Sequence, residues 1–174
     1  MEGTVLGLIG IKGPCTPYII RKEFRKSPSL FWSGSAGTIY PIIERLEQQN
    51  LINHISTKDN LRGGNLYVLT NVGRKGFTEW FSPQKSLLVT ETPPDPLRNR
   101  IELLALLPRK TQKEFLQSVV VELEKQIKIY DRDCEESQKK DFFDYLSARG
   151  CLLHAEARLR WIEEVIGMVE NKRT

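Results

Sequence analysis

Residues 32–52, W-S-G-S-A-G-T-I-Y-P-I-I-E-R-L-E-Q-Q-N-L-I, decide how the rest of the chain is read. Ile39, Ile42, Ile43 and Leu46 recur at three- and four-residue steps, which on a helix makes one apolar face for a core. Ser35, Thr38, Tyr40, Glu44, Arg45 and Gln48 fall on the polar remainder. Ser33 or Ser35 can cap the start, because a serine oxygen accepts from the orphan N–H groups of a first turn. Asn50 follows the last turn, where a residue able to take positive φ is expected. Pro41 is awkward. If the helix begins near Ser35, Pro41 deprives the Gly37 carbonyl of its donor and predicts a kink or a loosened first turn. A later start, near Tyr40, is the other reading. Leu51-Ile52 then opens an extended segment. A polar-faced helix running into a hairpin is the pattern of a DNA-reading helix with a wing. An ordinary amphipathic surface helix has the same periodicity.

Upstream, residues 4–11 (T-V-L-G-L-I-G-I) are apolar almost throughout and stop at Lys12-Gly13-Pro14. That reads as a short buried helix, with a strand as the alternative because of its internal glycines. Thr16 and Pro17 open a second helix as cap and first residue. It carries Tyr18, Arg21, Lys22, Arg25 and Lys26, with Ile20 and Phe24 placed to pack together. Downstream, residues 51–56 and 66–70 read as two strands around a tip, residues 57–65, that holds Lys58, Arg62 and Gly63-Gly64. Thr70 caps a fourth helix with Phe77, Trp80 and Phe81. Residues 82–96 contain Pro83, Pro93, Pro94 and Pro96 and mark a boundary.

Beyond it, residues 97–107 predict one short helix stopped by Pro108, and residues 111–138 and 141–170 predict two long ones. Phe115, Val119, Leu123, Ile127 and Tyr130 stripe the first; Phe142, Leu146, Leu152, Leu153, Leu159, Ile162 and Val165-Ile166 stripe the second. Helices of this length with few partners in the same chain call for a second copy to cover them, the alternative being packing within one copy. Leu146, Leu153, Leu159, Trp161, Ile162 and Val165 are the candidate dimerisation residues. The fold class expected is mainly α with a small β-hairpin. Residues 1–82 form a winged helix-turn-helix, 83–96 a Pro-rich linker and 97–174 a helical dimerisation domain.

Charge is uneven along the chain. Residues 1–82 hold ten Lys and Arg against six Asp and Glu, whereas residues 83–174 hold sixteen of each. All the excess positive charge therefore sits with the candidate DNA-reading helix, where counterion release would favour a polyanion. No run approaches the apolar length of a membrane helix, and the start of the chain lacks a basic region and cleavage site of a signal peptide. A cytoplasmic protein without membrane contact is expected. Cys15, Cys134 and Cys151 are scattered, and neither they nor His54 and His154 make a metal-ligand spacing. They read as small apolar side chains, so no metal or other cofactor is expected. An enzyme would need a nucleophile beside a base, or a metal site, and no such pairing is visible.

These segments resemble the PadR family of winged-helix transcriptional regulators. The opening T-V-L-G-L-I-G-I-K-G-P is similar to the family's first helix and its Gly-Pro stop, and Tyr18 to the tyrosine of H-G-Y-E-[IL]. The run F-W-S-G-S-A-G-T-I-Y-P-I-I-E-R-L-E-Q-Q-N-L-I resembles W-x-x-S-x-G-T-[IL]-Y-P-x-L-x-x-L-E-x-x-G-L-I, and L-Y-V-L-T-N-V-G resembles the segment after the family's wing. A-E-A-R-L-R-W-I-E-E-V looks like the last, dimerising helix of two-domain members. Thr16 and Pro17 replace the family's His-Gly, Asn50 its glycine, and the wing reads R-G-G-N-L-Y in place of an R-P-R-[RK] cluster.

The resemblance implies a homodimeric repressor on double-stranded DNA with a pseudo-palindromic site. Tyr18, Lys22, Ser35, Thr38, Tyr40, Arg45, Lys58, Arg62 and Gly63 are the DNA-contacting candidates. It also implies release by a small molecule held between the two domains, with Trp32, Phe77, Trp80 and Phe81 as lining candidates; the same aromatics at helical spacing also read as core. The thinned wing leaves a second reading open, a winged-helix module that docks another protein without binding DNA.

Overall fold

The computed structural model describes residues 1–26, 34–55, 65–82 and 95–171. They belong to two compact units, Met1–Thr92 and Pro93–Thr174. In the first, α1 (Glu2–Lys12), α2 (Pro17–Lys26), α3 (Ala36–Gln48), β1 (Ile52–Ile55), β2 (Leu66–Leu69) and α4 (Asn71–Trp80) follow in order. The apolar set of α3, Ile39, Ile42, Ile43 and Leu46, meets Val5, Leu6 and Ile9 of α1 and Ile20 and Phe24 of α2 in one core. Cys15, Ile52 and Tyr67 close it.

The opening segment is helical despite its glycines, and the reason lies in α4. A Cβ on Gly3 would stand 2.3 Å from the Trp80 ring, and one on Gly7 would stand 2.9 Å from the Phe77 ring. The bare backbone of α1 is what lets the α4 aromatics sit directly on it. The helix stops at Gly13, whose φ of 73° suits glycine and few other residues.

Ser35 is the cap of α3: its Oγ accepts from the Thr38 N–H at 3.2 Å. Pro41 lies inside the helix, so the later start near Tyr40 is not what forms. The Ser35 carbonyl accepts from both Thr38 and Ile39 N–H, at 3.3 and 3.1 Å. The first turn is thus shared between 3-10 and α geometry, as is common at a helix terminus. At the other end Asn50 has φ 55°. Its N–H donates to the Glu47 carbonyl at 2.9 Å and that of Leu51 to the Leu46 carbonyl at 2.9 Å, the two bonds of a Schellman stop.

The strands pair antiparallel, with Ile52 opposite Leu69 and Ile55 opposite Leu66. Cys15 adds a one-residue third strand by exchanging both backbone bonds with Tyr67. Thr70 then ties the hairpin to α4. Its Oγ1 accepts from the Gly73 N–H at 2.9 Å and donates to the Asn50 carbonyl at 2.6 Å. The tip residues Lys58, Arg62 and Gly63 lie outside the described residues.

The second unit holds α5 (Pro96–Glu102), a 3-10 turn (Leu104–Leu106), α6 (Arg109–Gln138) and α7 (Phe142–Asn171). The single helix expected over residues 97–107 is therefore divided. Continuing it would drive the Pro108 ring into the Leu104 carbonyl four residues back. The chain tightens to 3-10 instead, and the Gln112 side-chain amide donates to the Leu104 and Leu107 carbonyls at 3.0 and 2.8 Å. Asp141, expected as the first residue of the last helix, is its cap, accepting from Phe143 and Asp144 N–H at 2.9 Å each.

The two long helices run antiparallel, with Lys113 near the start of α6 paired to Glu170 near the end of α7 at 3.3 Å. Leu104, Leu116, Leu123 and Ile162 form their core, with Phe115, Val119, Leu159, Trp161 and Val165 packed around it. Leu116, outside the expected stripe, is the deepest side chain of α6. Among the described residues no helix is long and apolar enough to cross a membrane.

Candidate nucleic-acid interface

The interface is built where α3 starts. Gly34 touches α2 so closely that a Cβ there would lie 2.7 Å from the Arg21 carbonyl oxygen and 2.9 Å from Arg25 Cγ. The Arg21 Nε–H donates to the Gly34 carbonyl at 3.1 Å. Glycine, and a guanidinium from α2, thus fix how the start of α3 sits against α2. The geometry leaves Tyr18 of α2 and Tyr40 of α3 exposed, at 66% and 45%. Lys22 and Ser35 are exposed and Thr38 is half-buried. The Ser35 and Thr38 hydroxyls share a hydrogen bond of 2.8 Å at the helix N-terminus, where backbone N–H groups and the helix dipole favour an anion.

The candidates on α3 do not form one patch. Residues two apart on a helix lie on opposite flanks, so Thr38 and Tyr40 look away from each other. Thr38 and Arg45 border an open groove of about 1010 Å³ shared with Glu2 and Gly3 of α1 and Glu79 and Trp80 of α4. On the other flank Glu47 meets His54 of β1, Nδ1 to Oε1, at 2.5 Å. Between the flanks the outer face carries Gly37, Pro41, Glu44 and Gln48, all exposed. A Cβ added at Gly37 would meet nothing within 4 Å. Arg45 is held at 3.0 Å by Glu2, a partner 43 residues upstream that no local pattern announces.

The charge of α2 is partly offset within itself. Glu23 accepts from Lys26 at 2.8 Å. That bond, with the nearby charges of Lys12 and Lys22, outweighs burial and holds its carboxyl below the usual value. Phe77, Trp80 and Phe81 stack edge on in one aromatic group, with Phe77 packed on the first core; Trp32 lies outside the described residues. Burial pushes the thiols of Cys15, Cys134 and Cys151 up, which suppresses the nucleophilic thiolate. Among the described residues no group of His, Cys, Asp and Glu could hold a metal ion.

Of the dimerisation candidates, Ile162 is fully buried in the core of its own unit, and Leu159, Trp161 and Val165 are half-buried against the same core. Leu146 and Leu153 are each 47% exposed and face away from it.

The family model for the transcriptional regulator PadR-like family matches residues 5–79, and the model for the virulence activator alpha C-terminal region matches residues 95–170. Residues 5–79 thus belong to the PadR-like family of transcriptional regulators. That family is one of regulators, not enzymes. Over 98% of both chains the regulator is 23% identical to the negative transcriptional regulator PadR of Bacillus subtilis. Its fold is similar to that of Bacillus subtilis PadR solved in complex with operator DNA, with a TM-score of 0.82 and 21% identity over 97% of this chain and 96% of that one. It is also similar to the same protein solved with p-coumaric acid, with a TM-score of 0.77 and 20% identity over 98% of each chain.

Proposed function

We propose that the regulator is a cytoplasmic homodimer that represses transcription by binding a pseudo-palindromic duplex and lets go when a small molecule binds. Residues 1–82 would read DNA, 83–96 would link, and 97–174 would join two copies. The observation that carries the DNA reading is the start of α3. Gly34 seats it on α2, so that Tyr18, Lys22, Ser35 and Tyr40 are exposed around an outer face whose backbone is open at Gly37. Hydroxyls and amides there suit phosphate oxygens and base edges alike. The positive excess of residues 1–82 adds a sequence-independent pull, to which Lys58 and Arg62 of the wing contribute. The relative solved with operator DNA, and the same relative solved with p-coumaric acid, support both the DNA and the effector parts of this reading.

Two copies of α3 would enter successive major grooves about 34 Å apart. The test is selection of duplexes from a random pool with the full chain, followed by mobility shifts over a salt series. A recovered inverted repeat with that spacing supports the proposal. Weak binding without any recovered sequence overturns it in favour of a module that docks another protein.

A further inference from the structure

The groove beside α3 places one acid and one base in contact for no evident structural gain. Glu2 opens α1, and Arg45 sits in the last turn of α3. Their carboxylate and Nε are 3.0 Å apart, yet the two side chains stay 44% and 53% exposed. A pair in that much water adds little to stability. The core beneath already joins α1 to α3 through Val5, Leu6, Ile42 and Leu46. The pair does, however, neutralise the only cationic side chain on α3, the helix proposed to meet DNA.

We infer that Glu2 is an internal competitor for Arg45, occupying the guanidinium that a DNA phosphate takes when the duplex docks. The inference rests on the DNA-binding reading above. Arg45 offers donors in a rigid fork that fits a carboxylate and a phosphate equally well. The duplex must therefore displace Glu2 before it gains that contact. Glu2 in this way lowers affinity for every sequence alike, because a phosphate contact carries no base information. Glu2 is a positioning residue in this scheme and touches no DNA itself.

The test uses the full chain, a fluorescein-labelled mixed-sequence duplex and fluorescence anisotropy over a series of salt concentrations. Glu2→Gln is compared with Arg45→Gln and with the double variant. Glu79→Gln makes the same charge change at an acid on the same groove that is not the Arg45 partner. Thermal melting of each variant confirms an intact fold. We expect Glu2→Gln to tighten binding about two- to five-fold at low salt, the range an exposed pair supports. Its salt dependence should steepen by about one phosphate contact. Both gains should vanish when Arg45 is also Gln, and Glu79→Gln should tighten less. Unchanged or weaker binding by Glu2→Gln overturns the inference, and so does a gain that survives in the double variant. If the unaltered chain ignores the duplex even in dilute buffer, the DNA reading itself fails and takes this inference with it. The two failures are therefore distinguishable.

Discussion

Gly73 and Gly37 are both glycines in helices, where glycine costs about 1 kcal/mol relative to alanine, yet the protein needs them for opposite reasons. At Gly73 a Cβ would lie 1.9 Å from the Leu51 carbonyl oxygen, a backbone atom that cannot swing aside. Gly73→Ala should therefore push α4 off the hairpin and destabilise the first unit by about 3 kcal/mol, the upper end for overpacking, read as a fall in its melting temperature. At Gly37 the surroundings are empty, so folding gains nothing from the missing side chain. Gly37→Ala should raise the melting temperature slightly and weaken duplex binding several-fold, because the exposed backbone there is where DNA would approach. Stability and affinity measured on the same sample decide it: unchanged affinity would show that the α3 backbone is not a contact. Neither distinction is legible in the sequence. The atom that excludes Ala at position 73 belongs to Leu51 on a different element. Arg45 reads as a free basic residue until Glu2 is found beside it.

Among elements, what is local was readable. Ser35, Asn50, Thr16 and Thr70 act within a few residues of themselves, and their positions as caps or stops follow from residue type. What depends on a distant neighbour was not. The helix over residues 4–11 was readable, but what Gly3 and Gly7 make room for, the Trp80 and Phe77 rings of α4, was not. Asp95 is of the second kind too. Its Oδ1 accepts from the Leu97 and Arg98 N–H groups at 2.9 and 3.3 Å and from Arg158 of α7 at 2.7 Å. Burial pushes its carboxyl up, but the Arg158 hydrogen bond and charge and the two backbone bonds outweigh burial and hold it below the usual value. A carboxylate whose pKa falls on folding stabilises fully above its unfolded value, about 3.9, and loses that contribution as pH drops through the folded one. The second unit should accordingly weaken in acid. Asp95→Asn keeps a competent cap but no ion pair, and should lose about 1 kcal/mol at neutral pH. Asp95→Ala should lose about 1 kcal/mol more. Urea unfolding from neutral to acid pH checks this: the unaltered chain and Asp95→Asn should converge at the acid end, and parallel curves would mean that Arg158 contributes nothing through charge.

For the whole molecule, the sequence supplied too many apolar positions on the last helix for one packing face, and α7 explains the surplus. Leu152, Ala155 and Ile162 point into the core of the second unit. Leu146 and Leu153, a heptad apart, share the opposite face with Phe142 and Met168, which are 65% and 70% exposed. Periodicity could show that both sets are helical but not which set a neighbour within the same chain would cover, because α6 carries the deciding partners. An apolar stripe left in water along a helix of 30 residues is costly, and a second copy related by a two-fold axis would present the same stripe to it. Replacing Leu146 and Leu153 together by Glu should therefore separate the copies without unfolding either, since neither side chain belongs to the core. Sedimentation should show half the mass, and helicity by circular dichroism should be unchanged. Ile162→Asp serves as the contrast: a charge buried without a partner should abolish the folded unit itself. The Glu variant should also lose affinity for an inverted-repeat duplex while keeping the weaker, salt-sensitive binding of a single α3, because joining two half-site contacts is what a dimer contributes. If the double variant remains dimeric, the joining surface lies elsewhere on the chain and the exposed stripe of α7 requires another occupant.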